Sequence, residues 1–195
     1  DMSSAYILGK YCSIASGLGF MSDVKRCYEN LSDDVKSSVP GENLREGVEK
    51  YVSLSVGFEA KDFTLDNVDG KAIGMKQYLK GKKLVLLDFW ASWCGPCRKE
   101  GENIKAIYQD FHDQGFDVLG ISLDSKKEAW LKGIQEEGYK WEQVSDLLGV
   151  KSPVCKAYDV NGIPALFLLD GDGKVIGKNL RGDDLRKKVA EYLNR

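Results

Sequence analysis

Leu84-Val-Leu-Leu-Asp-Phe-Trp-Ala-Ser-Trp-Cys-Gly-Pro-Cys97 decides the fold of this chain. Its first seven residues are apolar and β-favouring except for Asp88, as in a strand buried on both faces of a parallel sheet. The run is far shorter than the ~20 residues a membrane helix needs. Pro96 suits the first turn of a helix, where its missing N–H would have had no partner, so a helix starts at or beside Cys94. That helix continues with Ile104, Ile107, Tyr108 and Phe111 on one face, and Val118 to Leu123 follows as a second strand. Ser125 with Glu128 three residues on reads as a capping-box start of the next helix. Strand, helix, strand, helix is a βαβ pattern.

Outward from this centre, Phe63 and Leu65 run into Asp66 to Gly70 as a short strand and hairpin turn, and Ala165 to Leu169 is a further buried strand. The chain closes on a hairpin through Asp170, Gly171, Asp172 and Gly173 and a helix with Leu185, Val189, Tyr192 and Leu193 on one face. Asp170 and Asp172 read as turn residues, since the glutamate of a calcium loop is missing.

The first 55 residues have a different rhythm. Ile7, Tyr11, Ile14, Leu18, then Val24, Tyr28, Leu31, Val35, then Leu44, Val48, Tyr51, Val52 form three stripes at helical spacing, predicting three amphipathic helices. Gly17, Gly19 and Ser22 mark the first break, and Ser37, Ser38, Pro40 and Gly41 the second. The division is therefore a helical segment over 1–55 and a main domain over 56–195.

Charges nearly cancel, with 28 Lys plus Arg against 30 Asp plus Glu, and no run of like charge points to nucleic acid. His112 has polar neighbours and no second histidine, which predicts a surface residue near a helix end. Five cysteines are an odd number and too few for a disulfide scaffold. Cys12 and Cys27 lie equally far from the break around Gly19, so either a bond across a helical hairpin or two free thiols fits. Cys155, near a helix start, reads as an inert, partly buried thiol, with a third redox thiol as the alternative.

Cys94 and Cys97 carry the chemistry. At a helix N-terminus the free N–H groups and the positive dipole end favour a thiolate, lowering a thiol pKa from about 8.5 towards ~7 or below. Cys94 is then the nucleophile. Cys97, one turn deeper, attacks the resulting mixed disulfide and releases the partner. Its proton needs an acceptor. Asp88 on the buried strand is the first choice, because an unpaired acid there would have a raised pKa and an aspartate inside Leu84 to Trp90 has little structural excuse. Glu100, three residues beyond Cys97 on nearly the same helix face, is the second, with ordinary helix surface as its bland alternative. A zinc site would need a second ligand pair that neither Cys155 nor His112 supplies at suitable spacing. The chemistry calls for no metal and no cofactor.

The segment Asp88 to Cys97 resembles the active-site segment of the thioredoxin superfamily, and Gly162-Ile163-Pro164 resembles its cis-proline loop. The stretch from Phe116 to Val154, the hairpin before Leu84 and Arg98-Lys99-Glu100 are most similar to the TlpA-like and ResA-like cell-envelope branch, while residues 1–55 resemble only the helical linker of longer TlpA-like proteins. The resemblance implies an α/β thioredoxin-like fold, a central mixed sheet flanked by helices, behind an N-terminal helical segment. It implies that Pro164 is cis and packs against the disulfide, that Ile163 pairs with an extended substrate, and that Trp93 beside Gly95 and Pro96 rims the nucleophile; Trp90 is core. The implied activity is reduction of protein disulfides in the bacterial periplasm or envelope, including those of cytochrome c precursors, with electrons from a membrane thiol donor. Two departures stand out. Glu102 occupies the place of a helix-kinking proline, with Gly101 permitting a milder bend, and Gly120 that of the lysine partnering the buried aspartate. The rivals are a peroxiredoxin-like peroxidase, which wants a threonine where Ala91 stands, and a binding module without turnover.

Overall fold

The computed structural model describes residues 21–52 and 54–194. The chain divides into two compact units, Asp1–Glu59 and Ala60–Arg195. In the first, α1 (Met21–Glu29), α2 (Asp33–Lys36) and α3 (Val39–Val52) form a helical layer in which α1 and α2 pack on α3 and bury Val24, Leu44 and Val48. The stripe from Ile7 to Leu18 and the break at Gly17 and Gly19 lie outside the described residues.

Two expectations are corrected here. The stripe Val24 to Val35 is two helices, because the chain turns at Asn30 and Ser32 becomes the N-cap residue of α2. The second break spans only Ser37 and Ser38. Pro40 and Gly41 sit in the first turn of α3, where a proline loses no helical hydrogen bond.

The second unit is built on a seven-stranded sheet of order β2-β1-β5-β4-β3-β6-β7. Its strands are β1 (Thr64–Asn67), β2 (Ala72–Gly74), β3 (Leu84–Trp90), β4 (Phe116–Ser122), β5 (Glu142–Ser145), β6 (Ala165–Asp170) and β7 (Val175–Lys178). β3, β4 and β5 run parallel, and β6 is antiparallel to β3. Every residue of β3 and β4 is buried, as a central strand with both faces covered requires. The helices are α4 (Met75–Leu79), α5 (Gly95–Phe111), α6 (Lys127–Glu137), α7 (Pro153–Ala157) and α8 (Gly182–Leu193), with α8 packed on α5. One sheet face carries an apolar aromatic cluster of Phe63, Phe89, Tyr158 and Phe167. Trp90, Tyr139 and Trp141 form a second cluster.

The capping box at Ser125 does not form. α6 starts at Lys127 behind the extended Lys126, with no side chain capping it. His112 is exposed at the end of α5, with Nδ1 3.1 Å from the Phe116 carbonyl. Among the described residues no helix is long and apolar enough to cross a membrane.

Candidate active site

β3 delivers the chain to the top of the sheet, and the turn Ala91–Trp93 hands it to α5. A buried aspartate fixes that turn. Asp124 accepts from Ser92 N at 2.9 Å, Ser92 Oγ at 2.7 Å and Ser122 Oγ at 2.8 Å, which ties the end of β4 to the residues before Cys94. Asp124 was not among the expected site residues. Its signal was an acid two residues beyond a buried strand, opposite a serine that only the folded sheet identifies.

Cys94 is the N-cap residue of α5, with Gly95 and Pro96 opening the first turn. The Cys97 N–H points at Cys94 Sγ, 3.2 Å away. Cys94 and Cys97 are joined in a disulfide, with Cα atoms 5.2 Å apart. A backbone N–H aimed at the outer sulfur is what stabilises a thiolate there once the bond is reduced. Opposite stands the Ile163-Pro164 peptide, which is cis, and the Ile163 carbonyl lies 3.8 Å from Cys94 Sγ. An open groove runs past Cys94 between Trp93 and Pro96 on one side and Asn161 to Ile163 on the other, floored by Leu123 and lipped by Val150. Trp93 is 63% exposed on its rim, whereas Trp90 is fully buried. Cys97 does not line the groove.

The two elements that meet at the pair, β3 and α5, each bury one carboxyl. Asp88 is 3% exposed; burial, with the charge of Glu100 adding to it, pushes its pKa up to about 7. Glu100 is also buried, not ordinary helix surface. Its Oε1 accepts from Gly182 N at 2.9 Å at the start of α8, and its Oε2 accepts from Asn103 Nδ2 at 3.1 Å. Beside Gly182, Arg181 donates to the Pro164 carbonyl at 2.7 Å. Arg181, the N-cap residue of α8, and Gly182, its first residue, thus hold the cis-proline loop and Glu100 respectively.

Gly120 does stand beside Asp88 in the parallel ladder, so no basic side chain reaches Asp88 from that position. Glu102 is exposed and pairs with Lys105. Gly101 has a reason apart from bending, since a Cβ there would collide with the Tyr139 hydroxyl. Cys155 is free and buried, and burial raises its pKa. Cys27 is free and exposed; Cys12 lies outside the described residues.

The AhpC/TSA family matches residues 56–178. The thiol-disulfide oxidoreductase ResA of Bacillus cereus is 30% identical over 83% of this chain and 90% of its own, and that of Bacillus subtilis 33% identical over 73% and 76%. Among solved structures, the thioredoxin domain of a thiol-disulfide oxidoreductase from Bacteroides vulgatus superposes with a TM-score of 0.67 at 36% identity, covering 72% of this chain and 99% of that one. The chain therefore belongs to the AhpC/TSA family, alongside the ResA thiol-disulfide oxidoreductases.

Proposed function

We infer that this thiol-disulfide oxidoreductase reduces disulfides of proteins in the bacterial cell envelope, cytochrome c precursors among them, and is returned to its dithiol form by a membrane thiol donor. The observation that carries the reading is the placement of Cys94 at the start of α5, on an open groove, with Ile163 and cis-Pro164 opposite. A substrate segment lying extended along Ile163 brings its disulfide to Cys94, with Trp93, Gly95 and Pro96 forming the other wall.

The Cys94 thiolate attacks one substrate sulfur, making a mixed disulfide and releasing the other as a thiolate. Cys97 then gives its proton to Asp88 and attacks Cys94. The Cys94–Cys97 bond forms, the bond to substrate breaks, and the substrate is reduced by two electrons. Burial first, and then the charge of Glu100, which Gly182 and Asn103 fix in place, hold Asp88 ready to take a proton near neutrality. Residues 56–195 carry this chemistry, and residues 1–55 serve stability, linkage or partner choice.

The test is insulin reduction by the protein with a small dithiol as donor, run beside an assay of peroxide consumption. Turnover of insulin without peroxide consumption is expected. Peroxide consumption alone would favour a peroxidase, against which Ala91 already counts, and activity in neither assay would favour a binding module.

A further inference from the structure

Three strands lie in register under α5. Asp88 of β3 stands beside Gly120 of β4, and Gly120 beside Gln143 of β5. Side chains at paired positions of neighbouring strands project to one face, so Gln143 shares the face of Asp88. Gly120 makes room for it: a Cβ there would collide with the Gln143 amide, which therefore lies over the middle strand, towards Asp88. Trp90 orients that amide, because its Nε1–H donates to Gln143 Oε1 at 2.9 Å. Gln143 Nε2 is left without a partner, although the residue is only 3% exposed.

Tyr139 approaches the same region from the turn before β5. Its hydroxyl presses on Gly101 of α5 and is also buried without a partner. Burial raises its pKa, and Asp88 is the foremost of the charges that add to this; Glu137 and Glu102 act the same way and Arg98 opposes them. Two buried donors without acceptors are costly; one shares the sheet face of Asp88 and the other feels its charge. From α5, Glu100 adds its charge to the burial of Asp88, and Cys97 lies one turn before Glu100 on that helix.

We propose that Gln143 and Tyr139 are positioning residues of the resolving step, whose Nε2–H and Oη–H groups receive the ionised Asp88 carboxylate that takes the Cys97 proton. The inference rests on the reading of Asp88 as acceptor and deepens it. In the step, the Cys97 S–H bond breaks and the proton goes to Asp88. The Cys97 sulfur bonds to Cys94, and the substrate leaves with the electron pair of the broken mixed disulfide. Two neutral donors stabilise the carboxylate without a fixed positive charge, which would keep it from taking up a proton at all. Each donor favours the charged form, so removing either makes Asp88 hold its proton to higher pH.

The experiment compares the parent with Tyr139→Phe, Gln143→Met and Asp88→Asn. Resolution of a preformed mixed disulfide is followed by stopped flow from acid to alkaline pH, and the Asp88 carboxyl of the oxidised protein is titrated by carbon-13 NMR. Tyr139→Phe and Gln143→Met should each move the Asp88 midpoint up by about one pH unit. Both should slow resolution several-fold near neutrality, with recovery at high pH. Unmoved carboxyl midpoints in both variants overturn the proposal, even if both lose stability. Tyr139→Phe keeps the ring against Trp90 and Trp141 and carries the test alone if Gln143→Met, which also orphans the Trp90 indole, does not fold. An unchanged rate profile in folded Asp88→Asn would sink the acceptor reading instead, and the carboxyl titration would still judge the two donors.

Discussion

Cys94 and Cys97 share one helical turn and differ in what they face. Cys94 lines the groove, with the Ile163 carbonyl 3.8 Å away, while Cys97 is buried behind it. That asymmetry predicts that Cys97→Ser accumulates mixed disulfides with protein substrates and Cys94→Ser accumulates none. Non-reducing gels read the outcome directly, and trapping by Cys94→Ser alone would exchange the two roles. Asp88 makes a different prediction, about stability. Its folded pKa of about 7 lies above the ordinary 3.8, so the folded state binds the proton more tightly than the unfolded chain does. The stability this confers is complete below about pH 4 and lost as pH rises to about 7. Asn is neutral throughout and escapes the loss. Oxidised Asp88→Asn should therefore exceed the parent by roughly 2–4 kcal/mol at pH 8, with the gap shrinking towards pH 4. A gap that does not change with pH would mean that folding does not raise the Asp88 pKa.

The turn Gly149–Lys151 after β5 forms the lip of the groove. Asp146 shapes it, accepting from Leu148 N at 3.0 Å and from Ser152 Oγ at 2.6 Å. It presents Val150 at 72% exposure, an apolar side chain held in water beside the nucleophile. Covering such a side chain with substrate is worth about 1.5 kcal/mol, or roughly tenfold in affinity. Val150→Asp should raise KM for a protein disulfide by about that factor while exchange with a small aromatic disulfide proceeds at the parental rate; equal losses for both substrates would place the effect at Cys94. Neither this lip nor β5 was legible in the sequence. Glu142 to Ser145 has no apolar run, and the partner that satisfies the buried Gln143 oxygen, Trp90, lies 53 positions away. β3, by contrast, announces itself, since a strand covered on both faces must be apolar along its whole length. The stripe from Val24 to Val35 misled because helical spacing persists through a turn that Ser32 restarts. Cys94, Cys97 and Pro164 were legible because short contiguous motifs carry them. The roles of Asp124, Gln143 and Tyr139 depend on register between strands, which no local pattern encodes.

All the site groups, from Asp88 to Gly182, belong to the unit Ala60–Arg195, but they do not depend equally on its ends. Its seven strands form one sheet, and the residues that orient the cysteine pair come from β3, β4, the loop before β6 and the start of α8. None comes from α1, α2 or α3. A chain reduced to residues 56–195 should therefore reduce insulin at close to the parental rate per folded molecule. Removing the other end should be far more damaging. α8 buries Leu185 and Val189, its Gly182 N–H holds Glu100, and the adjoining Arg181 holds the Pro164 carbonyl. Loss of two buried aliphatic side chains alone costs about 3–6 kcal/mol, a large part of the stability of a domain this size. Deletion of residues 183–195 should leave a chain that melts far below the parent and does not reduce insulin. Circular dichroism on both truncations separates folding from activity. If the 56–195 chain folds and is inactive, residues 1–55 take part in the chemistry and the assignment of the whole mechanism to the second unit is wrong.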